Sequence, residues 1–365
     1  MRKPLRVWAA TGLLALALAG CSGSGAVAPA PTGPVVGIIL PETGAQSRWE
    51  ANDRVYLEGA IKDGGAQARI ENARSDPDRF RKLADEMISD RVAALVIVSI
   101  DQAATRSVIA QARDHNIPVI EYDRMTPGAG ASYFVGFDEA TVARVQAEGL
   151  VRCLDAAGAK APVVAELQGP SADPVTAQGY AAVLDSRFAA GQYLKGPDDQ
   201  TPAWRGARFD QMMTRTGNRI DAVLAANDDL ADGAIAVLRN TGRNGEVPVV
   251  GRGATLAGLR NVLTGDQCLT VYLTVKQEAL AAGALALAVA KGQTIDTGQS
   301  IVDPETGKAI PAKLVTPQAI TRDSLQGVVK EGFVAIEDLC PPPLESACKD
   351  AGLNVATPTA TNPPR

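Results

Sequence analysis

In this chain of 365 residues, short apolar runs are each followed by polar side chains suited to gripping a hydroxylated ring. Arg48 and Trp49 follow the first run, Asp101 the third, and Asp123 with Arg124 the fourth. Further on come Asp138 with Glu139, then Asp173, then Asn227 with Asp228 and Asp229, while Trp204 lies in a polar connection. Carboxylates accept hydrogen bonds from hydroxyl groups, arginine donates through a planar fork, and a flat indole covers the apolar C–H faces of a sugar ring. Each residue also has a plainer use. Asp and Asn after a strand cap the next helix, and Asp101, Asp138 and Asn227 stand one to three residues before a helical pattern. Arg48 and Trp49 suit a surface cation–π pair, and Trp204 a place in a core or at a rim. Their accumulation at one end of successive strands is what favours a ligand.

Positioning these side chains at strand ends requires an α/β fold. Apolar runs of strand length at Val35–Leu40, Ala68–Ala73, Ala94–Ser99 and Pro118–Tyr122 alternate with helical patterns at Trp49–Lys62, Asp78–Ser89 and Gln102–His115. A second series of runs follows at Tyr133–Phe137, Val163–Leu167, Asp221–Ala226 and Val247–Gly251. Its helices fall at Ala140–Ala156, Val175–Phe188, Arg208–Arg215 and Leu230–Asn240. Two such sets read as two doubly wound lobes with parallel sheets, and ligands bind such sheets beyond the carboxyl ends of the strands. Met125–Ser132, with Pro127, Gly128 and Gly130, is the expected first crossing between lobes. A strand at Leu269–Tyr272, an Ala/Leu helix at Glu278–Lys291 and a strand at Ala312–Val315 imply that the chain returns to the first lobe and then goes back. The expected bounds are 35–125 with about 275–296 for the first lobe, and 126–274 with about 297–335 for the second. A cysteine-containing extension over 336–353 follows.

Composition supports this class. The chain is 46% hydrophobic, 21% charged and only 4% aromatic, which provides a sizeable core built from aliphatic side chains. Residues 1–20 read as a bacterial lipoprotein leader: Arg2, Lys3 and Arg6, an apolar run from Val7 to Ala19, then Leu18-Ala19-Gly20 before Cys21. That apolar run is short for a membrane span, which takes about 18 or more residues. Removing the leader's three cations from 36 leaves 33 basic against 41 acidic residues, no field for nucleic acid. Residues 21–34 and 354–365, rich in small residues and Pro, form an expected tether and tail. An exported chain permits disulfides: Cys340 and Cys348 are expected to pair locally, with Cys153 and Cys268 the other pair if their elements are adjacent. No spacing suggests a metal site.

Tyr122-Asp123-Arg124-Met125, Phe137-Asp138, Asn218-Arg219-Ile220-Asp221-Ala222-Val223, Ala226-Asn227-Asp228, Gly233-Ala234-Ile235 and Thr270-Val271-Tyr272 together resemble the D-xylose-binding protein family. The stretch Leu40–Arg54, with Arg48-Trp49 and Asp53-Arg54, is similar to that family's first ligand loop. The resemblance runs in order through most of residues 35–335. It implies two lobes joined by three crossings, a periplasmic or lipid-anchored monomer that encloses a monosaccharide on hinge closure, and delivery to the permease of an ABC transporter. It implies neither a cofactor nor catalysis. By position, Arg48, Trp49, Asp123, Arg124, Asp138, Trp204 and Asn227 would contact the sugar, with Asp101 a weaker candidate.

Departures fall mostly on the second lobe and the hinge. Glu139 stands where the family usually has Asn, and Leu273-Thr274 where it has Lys-Pro. Gly251-Arg252-Gly253-Ala254 replaces Gly-Gln-Asp-Ala, and the loop around Asp173 is shorter and lacks an Asp-Asn-Asn run. Each lost partner for a buried hydroxyl costs on the order of 1–3 kcal/mol, so the ligand need not be xylose. A sensor or scaffold lipoprotein with an altered or lost ligand is the alternative function. Enzyme motifs are missing: there is no Gly-x-Ser-x-Gly elbow, phosphate loop or His-Glu-x-x-His, and the single His115 lies at a helix end.

Overall fold

The computed structural model describes residues 33–43, 48–168, 174–189, 192–195 and 205–353, with 205, 206 and 208 described by backbone only. The expected leader with Cys21, the tether up to residue 32, Asp173, Trp204 and the tail from 354 lie outside the described residues. The strands are β1 (Val35–Leu40), β2 (Gln67–Asn72), β3 (Ala94–Ile97), β4 (Val119–Tyr122), β5 (Tyr133–Gly136), β6 (Val164–Leu167) and β7 (Tyr193–Lys195). They continue with β8 (Ala222–Ala225), β9 (Val249–Arg252), β10 (Leu269–Tyr272), β11 (Gln299–Val302), β12 (Ala309–Leu314) and β13 (Gln318–Ile320). One sheet has the order β11-β12-β5-β4-β3-β1-β2 and the other β13-β10-β9-β8-β6-β7. Among the described residues only the pairs β11–β12 and β10–β13 are antiparallel, each at an edge.

Strands such as Ala-Leu-Val-Ile of β3 and Ala-Val-Leu-Ala of β8 are buried at every position, because helices cover both faces of each sheet. In the first lobe α1 (Arg54–Asp63) lies on one face, while α2 (Pro77–Ser89) and α3 (Gln102–Asp114) lie on the other. In the second, α4 (Glu139–Ala156) and α5 (Pro174–Leu184) lie opposite α6 (Arg205–Arg215) and α7 (Asp228–Asn240), with α8 (Leu256–Thr264) beside α7. Helix α9 (Val275–Ala290) follows β10 of the second sheet but packs against α1 on the first. Gly283 permits that close approach, since a Cβ there would stand 2.5 Å from the Cβ of Ala60.

Two expected boundaries move. β5 pairs in parallel with β4 in the first sheet, Ile120 opposite Tyr133, so Met125–Ser132 is a loop within the first lobe. The first crossing is Phe137–Asp138. β11 and β12 also join the first sheet, through Ala312 opposite Phe134, so the second lobe regains the chain only at β13. An apolar run carries no label for the sheet it will enter, which is why both were misplaced. The three crossings are tied to one another: Val315 N donates to Gly136 O at 2.8 Å, and Thr274 Oγ1 to Thr316 O at 3.3 Å.

After α10 (Leu325–Lys330), the extension forms α11 (Ile336–Leu339) and α12 (Glu345–Asp350). The structure pairs Cys340 with Cys348 there, and Cys153 of α4 with Cys268 just before β10. Leu339, Cys340, Cys348 and Leu353 are buried in a cluster with Leu259 of α8 and Tyr272 of β10.

Glu121 of β4 is fully buried, with one oxygen accepting from Thr126 N at 2.8 Å and the other, Oε2, without a partner. Burial pushes its carboxyl up to about 7, partly opposed by Thr126. Because the unfolded chain gives up this proton at lower pH than the folded one, the stability contribution is complete below about 4.5 and is lost as pH rises to about 7. The loss is about 3 kcal/mol. Urea unfolding is therefore expected to show Glu121→Gln more stable than the wild type at pH 8 and nearly matched at pH 4.5; equal stability at both would refute this.

Candidate functional site

Arg48 precedes a π-turn over Trp49–Asp53 that runs into α1, and this turn carries both Arg48 and Asp53 toward β4. The Nη2 of Arg48 donates to Glu278 Oε2 at 2.8 Å, Asp123 Oδ1 at 3.1 Å and Asp53 Oδ1 at 3.2 Å. Tyr122, the last residue of β4, donates its hydroxyl to Asp53 at 2.6 Å. Asp123 follows with φ of 66°, a left-handed conformation costly for a residue with a Cβ and held here by the surrounding bonds. Arg124 reaches Asp123 at 3.7 Å and Ser99 O at 3.3 Å.

Trp49 is 4% exposed. The Arg48 and Arg124 guanidinium carbons lie 4.4 and 5.4 Å from its ring centre, Tyr122 meets it edge-on at 6.4 Å, and its Nε1 donates to Glu42 at 3.2 Å. In this structure the indole is thus a bed for two arginines: the cation–π pairing with Arg48 that the sequence suggests is present, but buried and joined by Arg124. Burial pushes the Asp53 carboxyl up to about 6 against the pull of Arg48 and Tyr122. Burial, with Asp123 adding, holds Glu278 well above the usual carboxylate range. Although burial opposes it, the charges of Asp123, Glu278 and Asp53 hold Arg48 above its ordinary value.

The second lobe answers with Arg252 at the end of β9, paired through both terminal nitrogens with Glu139 at 2.6 and 2.8 Å. Glu139 opens α4 immediately after the first crossing. The Arg252 guanidinium also feels the charge of Asp123, which links the two lobes electrostatically. Beneath it Asp228 is buried, accepting from Thr270 Oγ1 at 2.8 Å, Gln267 Nε2 at 2.9 Å and Thr255 N at 2.9 Å. Gly251 makes room for it, since a Cβ there would lie 2.3 Å from the Asp228 carboxylate. Asp228 is a buttress for the Arg252 loop.

Of the residues singled out from sequence, Arg48, Trp49, Asp123 and Arg124 are brought together. Asp101 and Asn227 are found as caps: Asp101 accepts from Ala104 N at 2.8 Å and Asn227 Oδ1 from Leu230 N at 2.9 Å. Asp138 holds Thr141 Oγ1 at 2.5 Å in the first turn of α4. Asp53 was noted in the sequence only as part of the first ligand loop, without a role of its own, and Glu278 was not singled out. The signal for Glu278 was a carboxylate in the stripe Val275, Ala279, Ala282 that a helix should keep apolar. A depression of about 270 Å³ lined by Arg113 and Asn116 lies at the start of β4, the other end of the strands from this cluster.

Two doubly wound lobes with three crossings and facing polar strand ends define a two-lobed solute-binding protein of the periplasmic binding protein type 1 fold. Residues 36–294 match the family described as periplasmic binding protein domain, and the chain belongs to that family. It is similar to the D-xylose-binding periplasmic protein of Haemophilus influenzae, 28% identical over 80% of this chain and 88% of the relative. A multiple sugar-binding periplasmic receptor of Rhizobium radiobacter is 26% identical over 81% of this chain and 89% of its own length. Among solved structures, an ABC transporter solute-binding protein of Clostridium phytofermentans with bound beta-D-glucose superposes with a TM-score of 0.70 at 25% identity, covering 84% of this chain and 99% of that one. These relatives are binding proteins, not enzymes. Among the described residues no helix is long and apolar enough to cross a membrane.

Proposed function

We propose that this protein captures a neutral monosaccharide, a xylose-like pentose or a related sugar, between its two lobes and delivers it to an ABC permease while anchored outside the cell membrane by a lipid on Cys21. The observation that carries this reading is the convergence of Arg48, Asp123 and Arg124 at the end of β4, facing Arg252 and Glu139 at the entrance to the second lobe. Relatives whose names include D-xylose and multiple sugars support it. Arg48, Arg124 and Arg252 are each already paired with a carboxylate, which favours an uncharged ligand over a phosphate or uronate. Asp123 and Asp138 supply acceptors for sugar hydroxyls, and the amide nitrogen of Asn227 remains a donor because its cap uses only Oδ1. The three linked crossings are the hinge about which the lobes close.

The Glu139–Arg252 pair spends donors and acceptors that a sugar would otherwise use, so the ligand need not be xylose itself. Calorimetry on ligand-stripped protein with pentoses, hexoses and polyols tests the function. At least one is expected to bind with Kd near micromolar, about −8 kcal/mol. No heat with any sugar, together with no compaction by small-angle scattering, would leave the sensor or scaffold reading. Trp49 and Trp204 are the only tryptophans beyond the leader, so the same sugar is expected to change tryptophan emission strongly. A silent signal alongside calorimetric binding would place the sugar elsewhere.

A further inference from the structure

Glu278 sits in the first turns of α9, about one helical turn after the second crossing, and it is fully buried. Its contact is the shortest of the three that Arg48 Nη2 makes. That nitrogen has two hydrogens for three carboxyl groups. Oε1 of Glu278 and Oδ2 of Asp53 are buried without hydrogen-bond partners. Three ionised carboxylates around Arg48 would leave net negative charge in a site where Asp53 and Glu278 are fully buried, each with one oxygen unpaired, which is costly. A neutral carboxyl group removes one charge while its carbonyl oxygen still accepts from Arg48.

We propose that Glu278 is the positioning residue for Arg48 and holds it as a neutral carboxylic acid, so that the first lobe's grip on its ligand depends on one proton kept where the chain re-enters that lobe. This rests on the reading of Arg48 as a sugar-holding residue. The groups acting on Glu278 are Arg48 and Asp53 from the π-turn and its preceding residue, and Tyr122 and Asp123 from the end of β4. On its own helix Lys276 faces Tyr56 of α1. β1 and β3 carry no titratable residue, and Tyr133 of β5 accepts from Ile295 N. Burial and the neighbouring Asp123 both favour the protonated form.

The test compares wild type, Glu278→Gln and Glu278→Leu between pH 5.5 and 9, reading sugar affinity by tryptophan fluorescence and stability by urea unfolding. Wild-type affinity is expected to weaken as pH rises through the titration of Glu278, by up to roughly tenfold per unit beyond it. Glu278→Gln, which keeps the neutral carbonyl, is expected to bind within threefold of wild type at pH 6 and to lose that slope, while Glu278→Leu weakens binding at least thirtyfold. A Gln variant that binds more than tenfold worse at pH 6, or that keeps the wild-type slope, overturns the proposal. Should no sugar in the panel bind the wild type, the sugar reading has failed. Glu278 is then judged by stability alone: identical pH slopes in wild type and Glu278→Gln overturn its proton, and a flattened slope in the variant upholds it. If the Gln variant does not fold, carboxyl-carbon NMR of the Glu121→Gln protein decides: a glutamate titrating well above the ordinary carboxylate range is expected, and its absence overturns the proposal.

Discussion

Arg48→Ala is expected to lower stability by about 3–5 kcal/mol at pH 7 and to weaken sugar binding by roughly 100-fold or more. Two fully buried carboxyl groups, Asp53 and Glu278, lose the cation they share. With that cation gone their protonated forms are favoured further in the folded state. The unfolded chain still ionises near the ordinary carboxylate range, so the destabilisation grows as pH rises from 5 toward 8. Arg48→Lys returns the charge but not the planar fork, and is expected to recover stability more than affinity. Urea unfolding at pH 5 and 8 with sugar titration on each variant reads both effects. An alanine variant as stable as wild type at pH 8 would show that Arg48 is not what keeps these carboxyl groups buried.

Trp49→Ala carries the second large effect, about 3–5 kcal/mol for emptying the space of a buried indole. The loss extends to function, because the ring supports the guanidinium planes of Arg48 and Arg124 at 4.4 and 5.4 Å. Cation–π support is worth about 0.5–2 kcal/mol per pair, so the two arginines become less ordered and affinity falls with stability. Trp49→Phe keeps a π-face but loses the bond from Nε1 to Glu42. It is expected to fold and to bind within roughly tenfold of wild type. If instead the Phe variant loses all binding while Ala retains it, the indole is not acting as a bed for the arginines.

Arg48, Asp123 and Arg124 could be found from sequence because local rules place them: each follows an apolar run by a few residues, and strand ends are where such sheets bind ligands. Asp101 and Asn227 were found by the same rule, which also predicts caps, and the structure uses them as caps. The sequence suggests the Arg48–Trp49 cation–π pair, while the burial of the ring and the second arginine, Arg124, depend on the tertiary fold, since nothing local shows what covers an indole. Glu278 was overlooked because its partner lies 230 residues away. Glu139 and Arg252 were each noticed as unusual, yet their pairing spans 113 residues and two elements.

What the sequence determined alone is the set of quantities that depend on neighbours along the chain: strand and helix periodicity, the α/β class, the helix caps and the identities of the side chains at strand ends. Tertiary structure decided which sheet β5, β11 and β12 enter, and so where the lobes divide. It also decided that one guanidinium answers three carboxyl groups from different parts of the chain. The physical reason is that strand pairing and buried charge are non-local energies. An apolar run hydrogen-bonds equally well in either sheet, and a carboxyl group's charge state is set by whatever the completed fold packs around it.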